Sequence, residues 1–147
     1  APAHLFTTGA NPVSCEAALA TLEMIEEEQL LEASLEKGDY VRQTMDRWIT
    51  DYKCIGDVRG KGLSIGIDIV SDPIQKTRDP EAALKICNYC FDKGVVIIAV
   101  AGNVLRFQPP LVISYDQLDY ALSTLEKAIQ ALNRGDLDQY EIEGQGW

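Results

Sequence analysis

Apolar residues recur at helical spacing in four stretches of the chain and at strand spacing in four others. The alternation is clearest from Leu63 to Val70, where an isoleucine at every second position faces away from Ser64, Gly66 and Asp68, as in a half-buried strand. The stretches predict the order helix, helix, strand, strand, helix, strand, strand, helix. The predicted helices are 12–28, 30–52, 81–93 and 116–133, and the predicted strands are a short one from 55, 63–70, 95–100 and 104–108.

Turn and cap residues mark where these helices begin and end. Asn11 and Pro12 are the expected N-cap and first position of the first helix, and Asp79 and Pro80 are their counterparts in the third. Asp116 is predicted to cap the final helix, and Gly94 is predicted to end the third one. Gly38 falls inside the second helical pattern and argues against an unbroken helix there.

The order of elements predicts an α+β fold. Its strands are expected to form a small, mainly antiparallel sheet that helices cover on one face. The first helix is long, rich in alanine and apolar on several sides, so we expect it to pack closely against more than one surface. After the final helix the residues 136–147 lose periodicity, which predicts an extended or loosely packed tail.

Composition and charge exclude several classes of protein. The 147 residues are 46% hydrophobic with a net charge of -10, which is typical of one folded domain and disfavours binding to nucleic acid or to an anionic membrane surface. No run of residues approaches the length of a membrane span, and no export signal precedes the first helix. Four cysteines without framework spacing indicate a reduced, cytoplasmic protein.

Most candidate sites have a simpler structural interpretation. His4 is the only histidine, and the residues around it supply no catalytic triad and no metal-ligand spacing, so we expect no metal site. The glycines of RGKGLSIG miss both phosphate-loop and dinucleotide spacings and indicate turns. Cys87 and Cys90 lie inside a helical pattern among apolar neighbours, which favours a position in the core over a redox pair.

Two features suggest binding. Thr7, Thr8 and Gly9 precede a helix N-terminus, where hydroxyl and N–H groups can hold an anion, although loop capping explains them equally well. Arg106 lies between Leu105 and Phe107 on a short strand that Pro109 and Pro110 follow. Held there, its guanidinium could bind a carboxylate, or it could form a structural ion pair with an acidic side chain.

The same stretches carry a family resemblance. The pattern H-x-x-T-x-G-x-N-P, the following alanine-rich helix, IGDVRGKGLSIGIDIV and GNVLRFQPPLVIS resemble blocks of the class III pyridoxal-phosphate enzymes, the ornithine and 4-aminobutyrate aminotransferase type. The blocks occur in the family's order from His4 to about Asn133. The resemblance implies a fold-type-I enzyme, with pyridoxal phosphate as cofactor and a homodimer or a dimer of dimers as assembly.

The resemblance assigns two binding roles and a domain layout. Thr7 would hydrogen-bond the cofactor phosphate in the partner subunit's active site, and Arg106 would bind the substrate carboxylate. Residues 1–28 would form a hinge loop and interdomain helix, residues 29–135 the C-terminal small domain, and residues 136–147 a tail. The Schiff-base lysine belongs to a large domain N-terminal to His4, so no catalytic residue is expected in this segment and the segment alone should be inactive.

The resemblance implies transfer of an amino group from an amino acid or ω-amine to a 2-oxo acid. Racemases and epimerases of the same family are the first alternative, and the closing EGQGW resembles that branch faintly. A stand-alone, non-catalytic binding domain is the second alternative. An exposed apolar first helix would favour the interpretation as part of a larger enzyme, because such a surface usually marks an interface.

Overall fold

Four helices and a five-stranded sheet make up the part of the chain that is described, residues 9–140 of a computed structural model. The α+β architecture confirms the predicted fold class, and the helices and strands follow the predicted order with one added strand. The helices are α1 (Pro12–Glu27), α2 (Leu30–Asp51), α3 (Pro80–Asp92) and α4 (Tyr115–Arg134). The strands are β1 (Ile55–Lys61), β2 (Ser64–Asp72), β3 (Thr77–Arg78), β4 (Ile98–Val100) and β5 (Val104–Phe107).

The sheet is antiparallel throughout, in the order β1-β2-β5-β4, with β3 paired to a further stretch of β2. The strand β3 lies in a segment that the sequence predicts to be a loop, since two polar residues carry no alternation. The strand β4 begins only at Ile98, so the prediction of a strand from Val95 is wrong at its first three residues.

The caps of α1 and α3 are the predicted ones. Asn11 Oδ1 accepts hydrogen bonds from the N–H groups of Val13 at 3.0 Å and Ser14 at 3.3 Å. Asp79 Oδ1 accepts one from Ala82 N–H at 3.0 Å. Both helices therefore start where the side-chain acceptor and the proline that follows it allow.

The predicted cap of α4 is wrong. Ser114, and not Asp116, caps this helix: its hydroxyl accepts from Gln117 N–H at 3.3 Å, while the Gln117 side chain accepts from Ser114 N–H at 3.0 Å. The two bonds form a capping box, whose sequence signal is Ser-x-x-Gln. Asp116 lies in the first helical turn, where its charge complements the helix dipole.

The hydrophobic core lies between one face of the sheet and three helices. Ile65, Ile67 and Leu105 are at most 1% exposed, and they belong to one cluster with side chains of α2, α3 and α4. The prediction that helices cover one face is therefore confirmed. The largest fully buried helical side chains of this cluster are Met45, Trp48, Ile86, Leu118, Leu125 and Ile129.

Gly38 does not interrupt α2, which is continuous from Leu30 to Asp51. A Cβ atom at this position would lie 2.5 Å from the carbonyl carbon and oxygen of Gly62. The glycine therefore allows the helix to approach the β1–β2 turn at Gly62, whose φ of +53° itself favours glycine.

The first helix differs most from its prediction. No residue of α1 is buried, and Val13, Leu19, Leu22 and Met24 are all more than half exposed. Within residues 9–140 the expected packing on several sides is absent. The helix instead exposes an apolar surface, and such a surface usually marks an interface.

The prediction of a loose tail is wrong for residues 136–140. These residues form turns, and Leu137 is 1% exposed in the core cluster. Tyr140 packs edge-on against Tyr89 of α3, with ring centroids 6.0 Å apart. A single leucine and a single tyrosine give no periodicity, so the pattern could not reveal this packing.

None of the helices in residues 9–140 is long and apolar enough to cross a membrane.

Candidate functional site

The face of the sheet that the helices leave uncovered brings the candidate residues together. Side chains alternate along each strand, so Gly66 and Asp68 point away from the core that Ile65 and Ile67 enter. The register pairs Arg59 with Gly66, Gly66 with Arg106, and Arg106 with Ile98. We call the side of the sheet that holds this row the open face.

Arg106 is held by its own strand. Its neighbours Leu105 and Phe107 are 0% and 6% exposed on the covered face, so the backbone at Arg106 is anchored while its side chain is exposed. Within residues 9–140 Arg106 has no salt bridge within 4.0 Å. The predicted alternative of a structural ion pair therefore finds no support in this range.

A cleft opens beside Arg106. Its volume is about 710 Å³, and it lies between residues 94–98, residues 106–110 and the first turns of α4. The walls are mostly apolar, with Val95, Ile97 and Pro109 among them, and the charged residues that line the cleft are Arg106 and Asp116. This size and lining are typical of a small-molecule site in which a few polar groups orient the ligand.

A second charged group on the open face was not predicted. The Arg59 guanidinium donates to Asp68 through Nη1 at 2.7 Å and Nη2 at 3.1 Å, and Nη1 also reaches Asp57 at 3.2 Å. Hydrogen bonding to Asp68 raises the pKa of Arg59. The sequence predicts a turn at RGKG and a strand that contains GID. It does not predict the contact between these residues, because that contact depends on the register of β1 and β2.

The buried thiols belong to the core and not to the site. Burial raises the pKa of Cys87 to about 11 and that of Cys90 to about 12. Such thiols stay protonated at neutral pH and are poor nucleophiles. The prediction that these two cysteines are core residues is confirmed.

Other predicted site features lie partly outside the described residues. Thr7, Thr8 and His4 are outside residues 9–140, so the phosphate role of Thr7 remains a prediction. Two N–H groups at the start of α1 already donate to Asn11, which reduces what that helix end offers an anion. Within the described range no cluster of three or more His, Cys, Asp or Glu side chains could hold a metal ion.

Comparison with known proteins gives the same family as the motifs. The family model "Aminotransferase class-III" matches residues 2–129. The isoleucine 2-epimerase of Lentilactobacillus buchneri is 49% identical over 100% of this chain and 33% of its own length. The leucine/methionine racemase of Thermococcus litoralis is 42% identical over 90% of this chain and 30% of its own length.

Solved structures share the fold as well. An amine transaminase from an uncultivated Pseudomonas species, in its PLP-bound form, superposes with a TM-score of 0.81 at 31% identity, over 87% of this chain and 29% of that one. The chain thus spans about a third of the length of the relatives it matches. With a family model that matches most of its residues, the chain belongs to the class III aminotransferase family.

Proposed function

We propose that the chain is the C-terminal part of a pyridoxal-phosphate-dependent enzyme that acts on amino acids. Support comes from the family match and from relatives about three times its length. Residues 1–28 would then connect two domains, residues 29–135 would form the small domain, and residues 136–147 would follow it. The exposed apolar surface of α1 fits a position against a further domain.

The observation that carries this proposal is Arg106. It is an exposed arginine on an anchored strand, it has no salt bridge within residues 9–140, and it borders an apolar cleft. A guanidinium binds a carboxylate through two parallel hydrogen bonds and so fixes its orientation as well as its position. We assign Arg106 to the carboxylate of the amino-acid substrate.

Pyridoxal phosphate would be the cofactor, as in the PLP-bound transaminase. When bound, it supplies the electron sink that stabilises negative charge at the substrate Cα. The residues of this chain fit a supporting role: Arg106 would orient the substrate, and Thr7 would contact the phosphate in the partner subunit of a homodimer or dimer of dimers. The segment alone would be inactive, since the Schiff-base lysine would lie in the preceding domain.

Between the two reactions of the family, the relatives favour inversion at Cα. The isoleucine 2-epimerase and the leucine/methionine racemase share 49% and 42% identity with the chain, against 39% for a relative named as a 4-aminobutyrate aminotransferase. Both names concern apolar amino acids, and the cleft beside Arg106 is mostly apolar. We therefore place racemisation or epimerisation of an apolar amino acid first, and amino transfer to a 2-oxo acid second.

One assay of the complete enzyme separates these functions. L-isoleucine and L-leucine are incubated in deuterated water with and without a 2-oxo acid, and the products are resolved by chiral chromatography and mass spectrometry. Inverted, Cα-deuterated product without the 2-oxo acid is the expected result. Product that forms only with the 2-oxo acid, as the keto acid of the substrate, would show an aminotransferase.

The compartment proposed for the enzyme is the cytoplasm. Its support is chemical: Cys15, Cys54, Cys87 and Cys90 are all free thiols in the structure, as expected in a reducing compartment.

A further inference from the structure

Two arginines lie in one row on the open face, and within residues 9–140 a salt bridge is present for Arg59 and absent for Arg106. Arg59 and Arg106 lie on either side of Gly66, on strands that both pair with β2. The guanidinium of Arg59 binds both oxygens of Asp68 and one of Asp57, whereas Arg106 has no salt bridge within the described range. The question is why the carboxylates hold one arginine and not the other.

Asp68 is within reach of both. It lies opposite Val104 on β5, so Arg106 is its diagonal neighbour two residues further along that strand. Diagonal neighbours in an antiparallel pair are about 7–8 Å apart at Cα, a distance that a long side chain spans. Gly66 itself has no side chain on this face, and the nearest side-chain atom above it is Cγ1 of Val104, 3.0 Å from where a Gly66 Cβ would lie. The Arg106 side chain would therefore reach Asp68 past a valine and not past a larger residue. Arg106 could therefore pair with Asp68 if the oxygens of Asp68 were available.

We propose that Arg59 is a positioning residue, which occupies both carboxylate oxygens of Asp68 and so keeps Arg106 available for the carboxylate of the substrate. This inference rests on the proposed role of Arg106. Arg59 would act through Asp68 and not through a contact with the substrate. Its effect is to prevent an internal carboxylate from competing with the substrate for the same guanidinium.

The charges on the open face explain why competition would follow the loss of Arg59. Asp57 and Asp68 face each other across β1 and β2 in register, and Arg59 is the cation between them. Without it, two neighbouring carboxylates repel each other, and pairing with Arg106 would relieve that repulsion. The substrate would then have to displace Asp68 before it could bind.

The test uses the complete holoenzyme with the variant Arg59→Gln. We expect KM for the amino acid to rise roughly 5-fold, as for an exposed ion pair, with little change in kcat. High ionic strength should reduce the defect, because salt screens the Asp68–Arg106 pair. The double variant Arg59→Gln/Asp68→Asn should restore the KM, since the amide has no charge with which to capture Arg106.

The control variant is Arg42→Gln, which removes the Arg42–Asp46 pair of 2.9 Å on the surface of α2 and should leave KM unchanged. If Arg59→Gln does not fold, Arg59→Lys replaces it. Lysine keeps the charge but cannot bind both oxygens in parallel, so a smaller rise in KM is expected. An unchanged KM in the Arg59 variant, or a double variant as defective as the single one, would overturn the inference.

A second readout does not depend on turnover. The crystal structure of the Arg59→Gln holoenzyme should show the Arg106 guanidinium within 4 Å of Asp68, and Arg106 still unpaired would contradict the inference. The proposed role of Arg106 fails in a different way, namely if Arg106→Gln leaves KM unchanged. The two failures are therefore distinguishable.

Discussion

The two faces of the sheet are built by alternate residues of the same strands, yet they differ in burial and in charge. On the covered face Ile67 and Leu105 are 0% exposed and belong to a cluster that three helices complete. On the open face the Arg59 side chain is 53% exposed and Arg106 borders a cleft. Each strand thus supplies one set of side chains to the core and the other to the open face, which holds the proposed binding residue.

The comparison shows how the position of an arginine is fixed without burying its charge. Burial of Leu105 and Phe107 fixes the strand, and the pleat directs Arg106 the other way. A charged group on such a strand keeps its hydration until a ligand arrives, so it avoids the penalty of an unpaired buried charge. The consequence is that substitutions on the two faces should have separate effects.

The largest expected effect is on the covered face. Ile67→Ala removes a fully buried side chain and should lower the free energy of unfolding by about 2–5 kcal/mol. Urea denaturation measures this change. Ile98→Ala on the open face, where Ile98 is 45% exposed, is the matched control and should cost clearly less. Equal losses of unfolding free energy in the two variants would contradict the difference in burial between the two faces.

The next effect is on the open face. Arg106→Gln would remove the proposed charge-assisted pair with the substrate and should lower kcat/KM of the complete enzyme by about 10- to 150-fold, equivalent to about 1.5–3 kcal/mol. The unfolding midpoint should stay the same, because the side chain is exposed and has no salt bridge within residues 9–140. A lower midpoint with unchanged kcat/KM would reverse the assignment of the two faces.

Gly38 tests how closely a covering helix approaches the sheet. By helix propensity alone, Gly38→Ala should stabilise α2 by about 1 kcal/mol. Because the added Cβ would lie 2.5 Å from Gly62 backbone atoms, we expect destabilisation instead, by about 1–3 kcal/mol. The sign of the change in the free energy of unfolding distinguishes the two effects. A stabilised variant would contradict the close contact between Gly38 and Gly62.

The smallest expected effect at neutral pH, where it is close to zero, is a pH dependence from the covered side. Cys87 and Cys90 have a pKa of about 11 and about 12 when folded, against 9.0 ordinarily. Below pH 9 both states are protonated and nothing changes. Above pH 9 only the unfolded chain releases these protons, so stability falls, by about 1.4 kcal/mol per thiol at pH 10.

Urea denaturation at a series of pH values measures this loss. The double variant Cys87→Ala/Cys90→Ala is the control, and its stability should fall less steeply above pH 9. The same slope in both proteins would contradict the assignment of the effect to these thiols.

Much of the fold was predictable because its signals are local. Asn11 with Pro12 and Asp79 with Pro80 mark their helices by residues adjacent in sequence, and the isoleucines of β2 mark their face by alternation. The exposed position of Arg106 was predictable for the same reason, since its two apolar neighbours fix the direction of its side chain.

What the sequence could not show depends on contacts between distant residues. By helix propensity, Gly38 indicates a break in α2. Its close contact with Gly62 becomes apparent only from the position of the β1–β2 turn. Leu31 and Leu35 match the helical period of α2, yet they are 66% and 48% exposed. The group formed by Asp57, Arg59 and Asp68 requires the register of two strands, which periodicity does not give.

The first helix has a consequence for the order of folding. Within residues 9–140 this 16-residue helix has no fully buried side chain and one partly buried one, Ile25, so its cap and backbone hydrogen bonds supply most of its stability. Isolated helices of that length are marginal in water. Its amide protons should exchange with solvent long before those of α2 or α4, which the core protects. In the complete enzyme, α1 would therefore acquire its stability last, at the moment when the surface that covers it docks.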